Sequence, residues 1–125
     1  MSTIAIQTTR HGSRVTFRVT GDLDYRNDEV VLSAVRAELL DASVVDVDLD
    51  LTELGFCDST GLGALITIRS LAFDRGMMLS LLGPQASLIR LLEMTGLNTY
   101  FAIEPAPVGP GPAAAEEDRP PLPLS

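Results

Sequence analysis

The chain has 125 residues, with 9 Lys plus Arg against 17 Asp plus Glu and a formal net charge of -8. That length allows one domain with a modest core, and that charge repels phosphate backbones and anionic lipid, which speaks against nucleic acid and membrane surfaces as partners. The single cysteine, Cys57, forms no internal disulfide, the first residues carry no basic-then-apolar leader pattern, and no apolar run approaches the roughly 18 residues of a membrane span, so a reducing, cytoplasmic location is expected.

Residues 2–10 alternate weakly and read as a first strand, and "HGS" at 11–13 as a turn. The next segment alternates cleanly, with Val15, Phe17 and Val19 on one side and Arg14, Thr16 and Arg18 on the other, the signature of a half-buried strand. The two strands read as a hairpin. Over 25–42 the period changes: Val31, Leu32, Val35 and Leu39 make an apolar stripe opposite Arg26, Glu29, Ser33 and Arg36, which predicts an amphipathic helix. Residues 43–51 return to alternation, with Val45, Val47, Leu49 and Leu51 on one face and Asp46, Asp48 and Asp50 on the other.

A second helix is predicted over 59–75, with a wide apolar face including Leu62, Leu65, Ile66 and Phe73. A short apolar strand follows over 76–83 and a third helix over 84–97, where Pro84 suits the first turn and Gly96 the left-handed stop. A last strand is expected at 99–103. Residues 104–125 are rich in Pro and Ala, acidic, and poor in anything to bury, so they are expected to form a disordered tail behind a domain at 1–103.

This order, β-β-α-β-α-β-α-β, implies an α/β domain with a mixed, partly parallel sheet and right-handed crossovers. The strands at 14–20 and 44–51 keep a polar face, whereas a sheet covered on both sides would read as continuous apolar runs. The helices are therefore expected mainly on one face.

Most candidate chemistry fails on its own terms. The Asp46, Asp48, Asp50 series begins like a calcium loop, but Leu51 and Cys57 stand where that loop needs glycine and an acid. A solvated strand face balanced by Arg14 and Arg18 is expected instead, with no metal. His11, the single histidine, lies in a turn beside Gly12, where a surface imidazole is expected rather than a general base. Cys57 sits among apolar residues with no cation beside it in sequence, as an inert thiol does. "GLG" at 61–63 lacks the third glycine and the lysine of phosphate loops. No cofactor is expected, and catalysis is not.

The helix start at "FCDSTGLG" is different. Asp58 and Ser59 are residue types that cap free N–H groups. Capping alone does not need Gly61 and Gly63, each of which costs a helix up to about 1 kcal/mol relative to Ala. A low-profile helix start bearing two hydroxyls fits a docking and modification surface.

"GDLD" at 21–24, "DLTELGFCDSTGLGAL" at 50–65 and "LLEMTGL" at 91–97 together resemble the STAS domain of bacterial anti-sigma factor antagonists, over roughly residues 3–103. The resemblance implies the STAS fold and a regulator that binds an anti-sigma factor with serine kinase activity, releasing a sigma factor in a stress response. It implies that the kinase phosphorylates Ser59, with Thr60 the secondary candidate, and that a metal-dependent serine phosphatase restores binding. It also implies a partner surface of Asp58, Ser59, Thr60, Gly61, Leu62 and Gly63, with Asp22 and Asp24 at its rim, the glycines leaving Ser59 open to the kinase. "YRN" at 25–27 is bulkier than the small residues usual after the acidic turn. A monomer is expected when free. The competing readings are a permanent STAS-like scaffold or transport-accessory subunit that is never phosphorylated, and a small nucleotide-binding or hydrolytic protein, which the missing base, metal set and phosphate loop oppose.

Overall fold

The computed structural model describes residues 3–107. Strands β1 (Ile4–His11) and β2 (Arg14–Leu23) form the expected hairpin, turning through Gly12. Helix α1 (Asp28–Leu39) leads to β3 (Asp46–Asp50) and β4 (Leu54–Cys57). Helix α2 (Ser59–Asp74), β5 (Met78–Leu82), α3 (Ala86–Met94) and β6 (Ala102–Glu104) complete the order. The sheet runs β1-β2-β3-β5-β6, with β4 paired to β2 beyond the end of β3. Only the β1–β2 pair is antiparallel; β2–β3, β3–β5, β5–β6 and β2–β4 are parallel. The mixed α/β sheet is as the alternating periods imply.

Alternation decides which face is dry. Val15, Phe17 and Val19 of β2, Val47 and Leu49 of β3 and Leu81 of β5 are fully buried. They join Val31, Val35 and Leu39 of α1 and Leu65, Ile68 and Ala72 of α2 in one core. The helices α1 and α2 pack on each other above this face. At about 25 cal/mol per Å² of apolar surface, such burial is the main force holding the layers together.

The other face is polar, but it is less wet than expected. Asp48 and Asp50 are buried rather than solvated. Parallel pairing sets Thr16 opposite Asp48 and Arg14 opposite Asp46. Arg14 reaches both carboxylate oxygens of Asp48, at 2.9 and 2.8 Å, and lies 3.4 Å from Asp46. Its hydrogen bond to Asp48, and then the Asp48 charge, raise the Arg14 pKa above its ordinary value. Arg18 does not balance the aspartates: it bonds Glu53 at 2.8 Å. Asp50 instead turns back on its own chain, accepting from the N–H and hydroxyl of Thr52 at 3.1 and 2.7 Å.

Several boundaries move for local reasons. Helix α1 begins at Asp28 rather than Tyr25, because residues 24–27 form a hydrogen-bonded turn. Strand β4 was not anticipated: four residues containing a glycine carry too short a period to read. Val45 precedes β3 and is exposed, and Phe73 is exposed on α2, where Ile68 and Ala72 fill the core. Pro84 stands before the cap residue Gln85, outside α3. Gly96 takes the left-handed conformation, at φ 75°. Glu104 belongs to β6; of the expected tail, residues 108–125 lie outside the described residues.

Candidate functional site

Parallel pairing brings the two acidic segments together. Leu23 at the end of β2 sits opposite Cys57 at the end of β4, and the N–H of Asp58 donates to the Leu23 carbonyl at 3.3 Å. Residues 22–24 and 56–59, far apart in sequence, thus emerge side by side at one end of the sheet.

The first segment is locked by its own polar groups. The Asp24 carboxylate is buried and accepts from the Arg26 N–H at 3.0 Å and the Arg26 guanidinium at 3.3 Å. The Asn27 side chain accepts from the Asp24 N–H at 2.9 Å and donates to the Asp22 carbonyl at 2.7 Å. Asp24 therefore organises the turn that starts α1 rather than standing at a rim. Asp22 is exposed, and its Oδ1 accepts the N–H of Phe56 at 3.0 Å, tying this turn to β4.

The second segment starts α2. Asp58 is the cap residue: extended at φ -91° and ψ -173°, it accepts the Gly61 N–H through Oδ1 at 2.8 Å. Ser59 and Thr60, the first two helical residues, are exposed. Neither hydroxyl makes a side-chain hydrogen bond among the described residues. An uncommitted hydroxyl at the positive end of a helix dipole is a position where added negative charge is tolerated.

The two glycines differ. Gly61 is buried, and a Cβ there would meet the Leu23 carbonyl oxygen at 2.5 Å and the Cys57 sulfur at 2.9 Å. Its role is to seat the helix start against the end of β2, not to clear a path to Ser59. A Cβ at Gly63 would meet nothing within 4 Å. Leu62 is buried in the core. Of the residues expected on a partner surface, Asp22, Ser59 and Thr60 are exposed and Asp58 and Gly63 half-buried, while Asp24, Gly61 and Leu62 support them from beneath.

Cys57 lies half-buried under this surface, and burial, then the neighbouring Asp58 charge, push its thiol up to about 12. It is held as a neutral thiol, which does not serve as a nucleophile. Among the described residues no group of three His, Cys, Asp or Glu is placed to hold a metal, and no helix is long and apolar enough to cross a membrane.

Sequence reading missed two exposed apolar residues beside the site. Phe56 on β4 is 58% exposed and Met94 at the end of α3 is 77% exposed. They border a groove of about 230 Å³ between β4 and α3, together with Leu88, Arg90 and Leu91. Nothing in the period of a four-residue strand distinguishes an outward Phe from a core one.

A family model described as "Mlab, STAS domain" matches residues 6–105. The anti-sigma-B factor antagonist of Listeria monocytogenes is 33% identical over 86 residues, covering 69% of this chain and 75% of the relative. Among solved structures, the anti-sigma factor antagonist SpoIIAA in its unphosphorylated form superposes with a TM-score of 0.71 at 20% identity, covering 83% of this chain and 90% of that one. SpoIIAA, the Bacillus cell fate determinant, in its phosphorylated form gives a TM-score of 0.67 at 20% identity, covering 83% and 93%. An anti-sigma factor antagonist from Mycobacterium paratuberculosis also gives 0.67, at 23% identity, covering 82% and 86%.

Proposed function

The chain belongs to the STAS-domain family of anti-sigma factor antagonists, and from that premise we propose that it binds an anti-sigma factor with serine kinase activity and is switched off by phosphorylation of Ser59. The family consists of binding regulators rather than enzymes, so the catalytic groups of the switch belong to the partners. The observation that carries this reading is the placement of Ser59: exposed, uncommitted, and first in α2. The solved phosphorylated form of SpoIIAA supports it by analogy.

The physics of the switch is local. A phosphate adds about -1.5 to -2 charges. Asp58 already caps the helix through Gly61, so the new dianion adds to the Asp58 charge instead of replacing it. Ser59 packs against nothing in the core, and the fold stays intact. Docking then has to desolvate two adjacent anions, which opposes it. A serine phosphatase restores the neutral surface. A partner drawing on ATP places this exchange in the cytoplasm, with the free antagonist a monomer.

The test is a titration of unmodified and Ser59-phosphorylated protein with the anti-sigma factor and ADP. The phosphoprotein is expected to bind more weakly; equal affinities would sink the switch. Ser59→Ala is expected to fold, bind and resist the kinase. Phosphate found on Thr60 alone would keep the mechanism and move its site. The second reading, a permanent accessory subunit that is never phosphorylated, draws on the family model's description, which names a STAS domain rather than an antagonist. Intact mass after incubation with ATP and the kinase separates the two.

A further inference from the structure

Beyond that reading and independent of it, we infer that a recess between the second half of α2 and the start of β5 and β6 binds a small organic carboxylate, an anionic head on an apolar body of a single ring or a short chain.

The recess has a volume of about 160 Å³, and Arg69 is the charged side chain among its lining residues. The Arg69 Nε–H donates to the Tyr100 carbonyl at 2.8 Å. Its guanidinium carbon lies 3.9 Å from the centre of the Tyr100 ring and 5.8 Å from that of Phe73. The Tyr100 ring is itself set edge to face against the buried Phe101, at 5.2 Å. The arginine is therefore already ordered. Its terminal Nη groups, the fork that matches a carboxylate, make no hydrogen bond or ion pair among the described residues.

That isolation is unusual in this chain. Two arginines among the described residues are half-buried, Arg18 and Arg69. Arg18 bonds Glu53 at 2.8 Å, whereas Arg69 pairs with no carboxylate among the described residues, although the chain holds 17 Asp plus Glu. Exposed arginines such as Arg75 and Arg90 are hydrated and need no partner. A cation partly removed from water favours an anion beside it.

The walls select the kind of anion. Phe73 and Met78 are large, apolar and more than half exposed, and Met77 is buried, so the recess runs from an apolar rim to an apolar floor. An inorganic anion would lose water against those walls and gain only the guanidinium. A peptide bearing an acidic side chain would press its own amides against them. The volume is also below the roughly 300–1,000 Å³ of pockets that take drug-sized ligands. A carboxylate on a body of ring size fits both the charge and the space. The recess is separate from the helix start, since Arg69 lies roughly 15 Å along α2 from Ser59 at about 1.5 Å per residue.

The experiment titrates benzoate, and benzamide as its uncharged counterpart, into the full chain and follows the methionine methyl resonances. Benzoate is expected to shift Met77 and Met78 saturably, to leave Met94 unmoved, and to bind about tenfold or more tighter than benzamide. Arg69→Gln is expected to abolish the saturable shift. Because that change also removes the bond to Tyr100, Phe73→Ala is the second variant. It alters an exposed wall, keeps the guanidinium and its anchor, and is expected to weaken benzoate about threefold or more. No saturable shift with benzoate would overturn the inference. So would benzamide or inorganic phosphate binding as tightly as benzoate, or shifts centred on Met94. None of these outcomes bears on phosphorylation of Ser59, so the regulatory reading stands or falls separately.

Discussion

Two regions of this molecule are rich in aspartate, and they spend it differently. On the open face of the sheet, Asp46 and Asp48 gather around Arg14, and Asp50 bonds Thr52. At the end of the sheet, Asp22 and Asp58 accept backbone N–H groups from Phe56 and Gly61. An arginine cancels a carboxylate's charge; an amide satisfies its lone pairs and leaves the charge. Around Arg14 the first region is thus partly neutralised and structural, although Asp50 keeps its charge, while the second has no arginine on Asp22 or Asp58 among the described residues and keeps a negative field beside two exposed hydroxyls. Counting acids along the chain cannot separate these cases, because the difference lies wholly in the donor.

The sharpest way to break this contrast is to unseat the end of the sheet. Gly61→Ala puts a Cβ 2.5 Å from the Leu23 carbonyl oxygen, and an overpacked backbone contact is expected to cost about 2–3 kcal/mol in urea unfolding. Gly63→Ala faces open space and is expected to raise stability by up to about 1 kcal/mol through helix propensity. Equal effects at the two positions would mean that α2 does not press on β2 as described.

Removing the arginine tests the other region. Arg14→Met leaves the Asp48 carboxylate buried without its ion pair. Loss of a wholly buried pair is severe, but Arg14 is half exposed and its pairing is screened by water. A loss of about 1–2 kcal/mol is expected, shrinking as salt is raised. An effect indifferent to salt would show that Arg14 acts through packing of its stem.

At the helix start, Asp58→Ala removes one cap bond and is expected to cost about 1 kcal/mol. Asp58→Asn, which keeps an acceptor, should cost less. If the amide pairing is what matters for stability, the difference between these two variants persists in high salt.

The smallest expected effect is at Asp41, where both kinds of donor meet. The Ser43 hydroxyl and N–H, and then Arg10, hold its carboxyl at about 2, down from 3.8. A depressed folded pKa stabilises above the unfolded value and is lost as pH falls through the folded one. Wild type is therefore expected to exceed Asp41→Asn in melting temperature near neutral pH, with the gap closing between about 4 and about 2. A gap that stays constant over that range would rule out the charged form as its source.

Much of this was legible in the residues. The switch from alternation at 14–19 to a helical stripe at 31–39 and back at 47–51 is a local property, written in the spacing of side chains that must reach one core. It gave the partly parallel sheet, the one-sided helices and the helix start at Ser59. The expectation of a tail at 104–125 was a compositional statement of the same kind; residues 108–125 lie outside the described residues.

The rest depended on which strands become neighbours. That β2 and β4 run in parallel decides that Leu23 meets Cys57, and from this follow the need for Gly61 and the pairing of Asp22 with Phe56. The burial of Asp24, Asp48 and Asp50 and the outward turn of Phe56 toward Met94 are equally products of the assembled fold. The sequence by itself determined periods, caps and charge, because these act within a few residues. Only the tertiary structure decided which carboxylates are neutralised and where the apolar surface opens, because those contacts join residues 34 or more positions apart that no local period connects.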